Sequence, residues 1–226
     1  METKALYDFL QRLDANNNRE WFKSNKTEWD DLKAGWENDI NLLIARMSAW
    51  EPRFAGLTSK DCVFRIYRDI RFKADKSPYK TWVCAGIGIY GKNSHNGGYY
   101  IQAGPQSRLS DNFSGLFGGV WMPDSNLLNK LRKAIAYNFE EFEEIINSPS
   151  LVRQFPDWTG PMLKRMPKGW DENAPYAYYM KLKEFGKAKD CDMKFFEGDW
   201  TSRASELLSL LKPLIDFLNY SIEEDT

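Results

Sequence analysis

Histidine is nearly absent from this chain: there is one, His95, in 226 residues. Cysteine is scarce as well, and Cys62, Cys84 and Cys191 are widely spaced and odd in number. These shortages exclude a metal site of the usual Cys/His zinc type. They argue against a disulfide framework and for a reducing compartment, the cytoplasm. A triad built on histidine would rest on His95, which sits in Lys92-Asn-Ser-His-Asn-Gly-Gly98, a segment that reads as a flexible hairpin loop. No apolar run approaches the length of a membrane span, and the first residues lack the basic-then-apolar order of a signal peptide. The glycines between 86 and 119 fit neither a dinucleotide fingerprint nor a P-loop, so a Rossmann-type cofactor site is not expected and the cofactor stays unknown. Repeats, low-complexity tracts and a linker are also missing, which leaves a single α+β domain over 1–226.

What the chain has in abundance is aromatic side chains, 15% of residues with nine Trp. Their ordinary use is a core built from large rings. Charge is balanced at −1 overall, yet residues 62–80 carry Arg65, Arg68, Arg71, Lys73, Lys76 and Lys80 against Asp69 and Asp75, a local +4. Like charges this close repel unless something anionic lies between them. Within this island, Phe64, Ile66, Ile70 and Phe72 alternate with Arg65, Tyr67, Asp69 and Arg71, which predicts a half-buried antiparallel strand over 62–72. Arg68 falls on the apolar side, where a guanidinium needs a carboxylate partner. Glu20 is the first candidate. Residues 73–80 follow as a long charged connection.

The run Phe64-Arg-Ile-Tyr-Arg-Asp-Ile-Arg-Phe72, followed by Asp75-Lys76 and Pro78-Tyr79-Lys80, resembles the signature of the family catalogued as domain of unknown function 2461. Three further stretches are similar to that family: Asn16-Asn-Asn-Arg-Glu-Trp-Phe22, Gly118-Gly-Val-Trp-Met-Pro123 and Pro167-Lys-Gly-Trp170. The resemblance runs in order over nearly the whole chain. It brings no activity, cofactor or catalytic residue with it.

Elsewhere the pattern is that of a central, mainly antiparallel sheet flanked by N-terminal and C-terminal helices. Leu6, Phe9, Leu10 and Leu13 mark one face of a helix over 3–13, and Asn18 is placed to cap a turn after it. Trp29, Leu32, Trp36, Ile40, Leu43 and Met47 mark a longer helix starting near Thr27. Strands are expected at 81–90, 98–104, 113–121 and 181–189, joined in the first part by short Gly/Asn/Ser connections. Helices follow at 125–137 and 139–146, the latter opening with a solvated Glu140, Glu141, Glu143, Glu144 group. A last helix over 200–220 contains Pro213, which should kink or break it.

Three functions fit the island 64–80. In the first it holds the phosphate or carboxylate of a small ligand, with Arg65, Arg68, Arg71, Lys76, Tyr79 and Lys80 as binding residues. Asp69, Asp75 and Tyr67 are then the candidates for acid–base work, if any reaction occurs. Such a site centres on Arg71, Lys76 and Lys80, because Arg65 lies roughly 20 Å along a straight strand. In the second, the same cations form a surface for single-stranded nucleic acid or a protein, with Tyr67, Tyr79 or Trp82 as stacking platforms. The third is a purely structural ion-pair network. The shape of the basic surface discriminates: a closed pocket suits a small ligand, an open stripe with exposed rings suits a polymer. The chain's sequence pI near 6.0 weighs against a large nucleic-acid footprint.

Overall fold

The computed structural model describes residues 1–72, 74–105 and 113–223. Lys73 of the basic island lies outside them. In chain order the elements are α1 (Thr3–Ala15), α2 (Arg19–Ser24), α3 (Lys26–Met47), α4 (Ser59–Cys62), β1 (Val83–Ile87), β2 (Gly98–Ala103), β3 (Gly115–Val120), α5 (Ser125–Tyr137), α6 (Phe139–Ile146), α7 (Pro149–Gln154), α8 (Ala177–Met180), β4 (Phe185–Asp190), α9 (Trp200–Ser209) and α10 (Lys212–Glu223). The four strands form an antiparallel sheet in the order β1-β2-β3-β4, and with the flanking helices the fold is α+β. Sheet order equals chain order because the early connections are short enough to return each strand beside its predecessor. Among the described residues no helix is long and apolar enough to cross a membrane, and no group of three His, Cys, Asp or Glu could hold a metal.

The chain forms two compact units. The first comprises Met1–Asn93, Tyr100–Leu116 and Asp190–Glu206. Leu6, Phe9, Leu10 and Leu13 of α1 are fully buried there, and the expected stripe of α3 from Trp29 to Met47 is buried as well. Trp36 stacks on Trp200 with ring centroids 5.6 Å apart. The Asn18 Oδ1 accepts the Trp21 N–H at 2.9 Å and caps α2 as its sequence position suggests. The helix expected to start near Thr27 begins one residue earlier, and its cap position is Asn25. Asn25 ends α2 by donating from Nδ2 to the Trp21 carbonyl at 2.8 Å, while its own carbonyl already takes the Trp29 N–H at 3.1 Å. One residue serves both helices, so α3 begins at Lys26.

The second unit comprises Ser94–Tyr99, Phe117–Lys189 and Leu207–Thr226. Leu131 and Ile135 of α5, Phe142 and Ile146 of α6, Phe185 of β4, and Leu214 and Leu218 of α10 make its core. Gly119 is needed there: its φ is +143°, and a Cβ would stand 2.2 Å from the Phe185 carbonyl oxygen. A buried ammonium also contributes. Lys187 is 2% exposed, donates to the carbonyls of Phe155 and Pro156 at 3.0 and 3.1 Å, and lies 4.7 Å from the Trp158 ring. Burial pulls its pKa below the ordinary lysine value. The expected helix over 200–220 divides into α9 and α10, with Pro213 in the first turn of α10, where its missing N–H costs no hydrogen bond.

Candidate functional site

The basic island lies wholly in the first unit. Its backbone is a hairpin arm rather than a strand over 62–72. Cys62 ends α4, and from Val63 the chain pairs antiparallel with β1 and with the segment leading into it. Val63 bridges Ala85 and Tyr67 bridges Tyr79. Phe64 N–H donates to Cys84 at 3.0 Å, Lys80 N–H to Ile66 at 2.7 Å, and Arg68 N–H to Pro78 at 2.9 Å. Pairing stops there. The Asp69 carboxylate accepts from the Arg71 backbone N–H at 3.2 Å and from its Nε and Nη2 at 3.0 and 2.6 Å. This fork turns the chain at the residue where the alternating pattern predicts continued strand. Without a neighbouring strand the alternation has no sheet to bury it. Ile66 is buried, Ile70 is half-buried, and Phe72 is 94% exposed.

The tip of the arm is closed by its own charges. Asp75 accepts from the Ser77 N–H and hydroxyl at 2.8 and 2.6 Å and from Arg68 Nη1 at 3.3 Å. Arg68 also donates to the Ser77 carbonyl at 2.8 Å, and its side chain is only 15% exposed. Burial and a carboxylate partner were expected of Arg68. The partner is the local Asp75 rather than Glu20. Lys76 Nζ donates to the Ile70 carbonyl at 3.0 Å, and Lys80 Nζ lies 5.3 Å from the Phe64 ring. Arg71 holds the Asp69 carboxyl at about 2, and the Ser77 donors, then Arg68, lower that of Asp75. Both acids are therefore ionised acceptors, already engaged.

The base of the arm is fixed from α1 and α2. Asn17, between these helices, donates from Nδ2 to the Tyr79 carbonyl at 2.9 Å and accepts the Tyr79 N–H at Oδ1 at 3.1 Å. Its amide thus replaces the edge of a neighbouring strand. Phe22 stacks on the Tyr79 ring at 4.0 Å and 18°. Tyr79 is 4% exposed, and burial raises its pKa. Tyr67 leans on both rings, 6.4 Å from Phe22 and 5.3 Å from Tyr79, yet stays 50% exposed.

Of the residues chosen from the sequence, the fold brings together Arg68 with Asp75 and Arg71 with Asp69. Arg65 stands exposed and acts on Asp69 only through space. Arg71, Lys76 and Lys80 each face a different partner: the Asp69 carboxylate, the Ile70 carbonyl and the Phe64 ring. Asn17 and Phe22 were missed, since the Asn run reads as a helix stop. The sequence carries both the Asn16–Phe22 and the Pro78–Lys80 motif, and their contact in the fold is what links them.

The family described as "Conserved hypothetical protein (DUF2461)" matches residues 5–217. The chain belongs to this family. Comparison with curated proteins and with solved structures gave no match. Two of the family-like motifs of this DUF2461 protein, Asn16–Phe22 and Phe64–Lys80, form one physical unit through the Asn17–Tyr79 and Phe22–Tyr79 contacts. In a third, Gly118–Pro123, the glycines admit close packing: a Cβ on Gly118 would lie 2.8 Å from Leu211. The motif ends in an exposed Trp121 and in Met122 at φ +46°.

Proposed function

We propose that the hairpin arm 63–80 is an open binding surface for single-stranded nucleic acid. The observation that carries this is the exposure of aromatic rings beside exposed cations. Phe72 is 94% and Tyr67 50% exposed, and Arg65, Arg71 and Lys76 stand exposed around them. Exposed rings offer faces to bases, and guanidinium and ammonium groups track phosphates. A small phosphate is served less well, because Arg71, Lys76 and Lys80 point to separate partners. Asp69 and Asp75, ionised and hydrogen-bonded, favour a binding role over acid–base work. Tyr79 supports the arm through Phe22 and offers no free face.

The test is fluorescence anisotropy with a labelled oligothymidylate over a range of salt. Three phosphate contacts give a slope of log K against log salt near about −2. Phe72→Ala should cost about 1–3 kcal/mol of binding. Arg65→Ala with Lys76→Ala should flatten the slope. Equal affinity for a poly-glutamate of the same length, or no binding at low salt, would sink the proposal.

A further inference from the structure

The second unit carries a groove of about 570 Å³ between α5, the C-terminal part of α10 and the loop that holds Trp170. That size suits a small molecule. Lys130, Lys133, Ala134 and Tyr137 come to it from α5 at spacings of three, one and three, which put them on one helix face. Ala134 leaves room at the floor. The walls are aromatic: Tyr137 is 89% exposed, Tyr220 of α10 is 67% exposed, and Trp170 closes a third side. Trp170 comes from the fourth family-like motif. Its N–H donates to the Pro167 carbonyl at 3.3 Å across Gly169, whose φ is +90°, and its ring meets Tyr176 edge-on at 6.1 Å. The Pro-Lys-Gly-Trp turn thus sets an indole both against the core of this unit and at the edge of the groove.

The polar groups at the groove are cationic or neutral. Lys130 Nζ donates to the Ile222 carbonyl at 3.1 Å, which fixes it beside α10. Lys133 is exposed and has no ion-pair partner among the described residues. The Asn138 side chain, which precedes α6, makes no capping bond to that helix. Glu140 and Glu141 follow at once in the first turn of α6, and their charge disfavours a polyanion. Aromatic faces, an unengaged ammonium and acids nearby select one chemistry. We propose that this groove binds a planar aromatic molecule carrying a single phosphate or carboxylate group, of the class of a nucleoside monophosphate. The site is independent of the hairpin arm.

The test is titration calorimetry of the full chain with adenosine monophosphate, adenosine and inorganic phosphate. Saturable heat is expected with the monophosphate, at least about tenfold weaker binding with adenosine, and none with phosphate alone. Lys133→Met and Tyr220→Ala each should weaken the monophosphate by about tenfold, since one removes a charge-assisted contact and the other a stacking face. Both side chains are exposed, so the variants should keep the wild-type circular dichroism and melting temperature. An Arg65→Ala, Lys76→Ala variant should bind the monophosphate as the wild type does. The proposal is overturned by an absence of saturable heat up to about 10 mM ligand. Binding that survives both groove variants, or that disappears in the arm variant, overturns it equally.

Discussion

Asn17 holds Tyr79 by both backbone polar groups, donating to its carbonyl at 2.9 Å and accepting from its N–H at 3.1 Å. A side-chain amide here does what a strand edge does, and it ties the base of the hairpin arm to the turn between α1 and α2. Because Tyr79 is 4% exposed, neither backbone group can turn to water if the amide is lost. Asn17→Ala should therefore cost about 1–3 kcal/mol in urea unfolding. Hydrogen exchange at the Tyr79 amide should accelerate more than at Ile66. An unchanged midpoint and slow exchange at Tyr79 would count against this role.

Gly119→Ala should be among the most damaging single substitutions in the chain. The new Cβ meets the Phe185 carbonyl oxygen at 2.2 Å, and φ is +143°. The atoms it meets, the Phe185 carbonyl and the Gly186 Cα, are backbone of β4 and cannot swing aside. A loss above about 4 kcal/mol, or failure to fold, is expected. Gly169→Ala is the control: its φ is +90° but nothing lies within 4 Å, so only backbone strain of about 1–3 kcal/mol remains. Equal melting temperatures for the two variants would contradict the packing argument.

The Asp69 carboxyl should titrate at about 2, held down first by the Arg71 side chain and then by the Arg71 backbone N–H. Its folded pKa lies below the unfolded value of 3.8. The group's contribution to stability is therefore present above that unfolded value and is lost as pH falls through about 2. Carbon-detected NMR titration of the Asp69 carboxyl reads this directly. Arg71→Ala should return the midpoint toward the ordinary carboxylate range, and a wild-type midpoint near 4 would show that the fork does not persist in solution.

Cys62, Cys84 and Cys191 are all buried, and none of them is in a disulfide. Burial pushes the Cys62 thiol up to about 12 and raises that of Cys84. A thiol that is both protonated and enclosed reacts slowly, since the thiolate is the nucleophile. Ellman's reagent should release no colour from the native protein at pH 8 and three equivalents after unfolding in guanidinium. Rapid reaction of one thiol in the native state would locate an opening motion.

Local periodicity was enough to find α1, α3, α5 and α6 and the four strands, and Pro213 marked the helix break just before it. In each case the signal and the structure live on the same short stretch of chain. A helix stripe such as Trp29-Leu32-Trp36-Ile40 is buried wherever the helix docks, so its spacing alone foretells its core face. The island 62–72 had an equally clear pattern and only half of it became paired structure. Alternation buries a face only where a neighbouring strand completes the sheet. That neighbour ends at the Arg68–Pro78 bond, and the Asp69–Arg71 fork turns the chain beyond it.

What tertiary structure alone decided is who partners whom. The charges of 64–80 were plain in the sequence, but their division into an Arg68–Asp75 pair and an Arg71–Asp69 pair depends on how the tip folds. Asn17 looked like a helix stop because its partner, the Tyr79 backbone, lies 62 residues further along. The aromatic groove joins α5, Trp170 and Tyr220, which no local pattern relates. Hydrophobic burial follows the period of the chain, and so it can be read one segment at a time. Hydrogen bonds and ion pairs are directional and short in range, so only the folded approach of distant segments selects them.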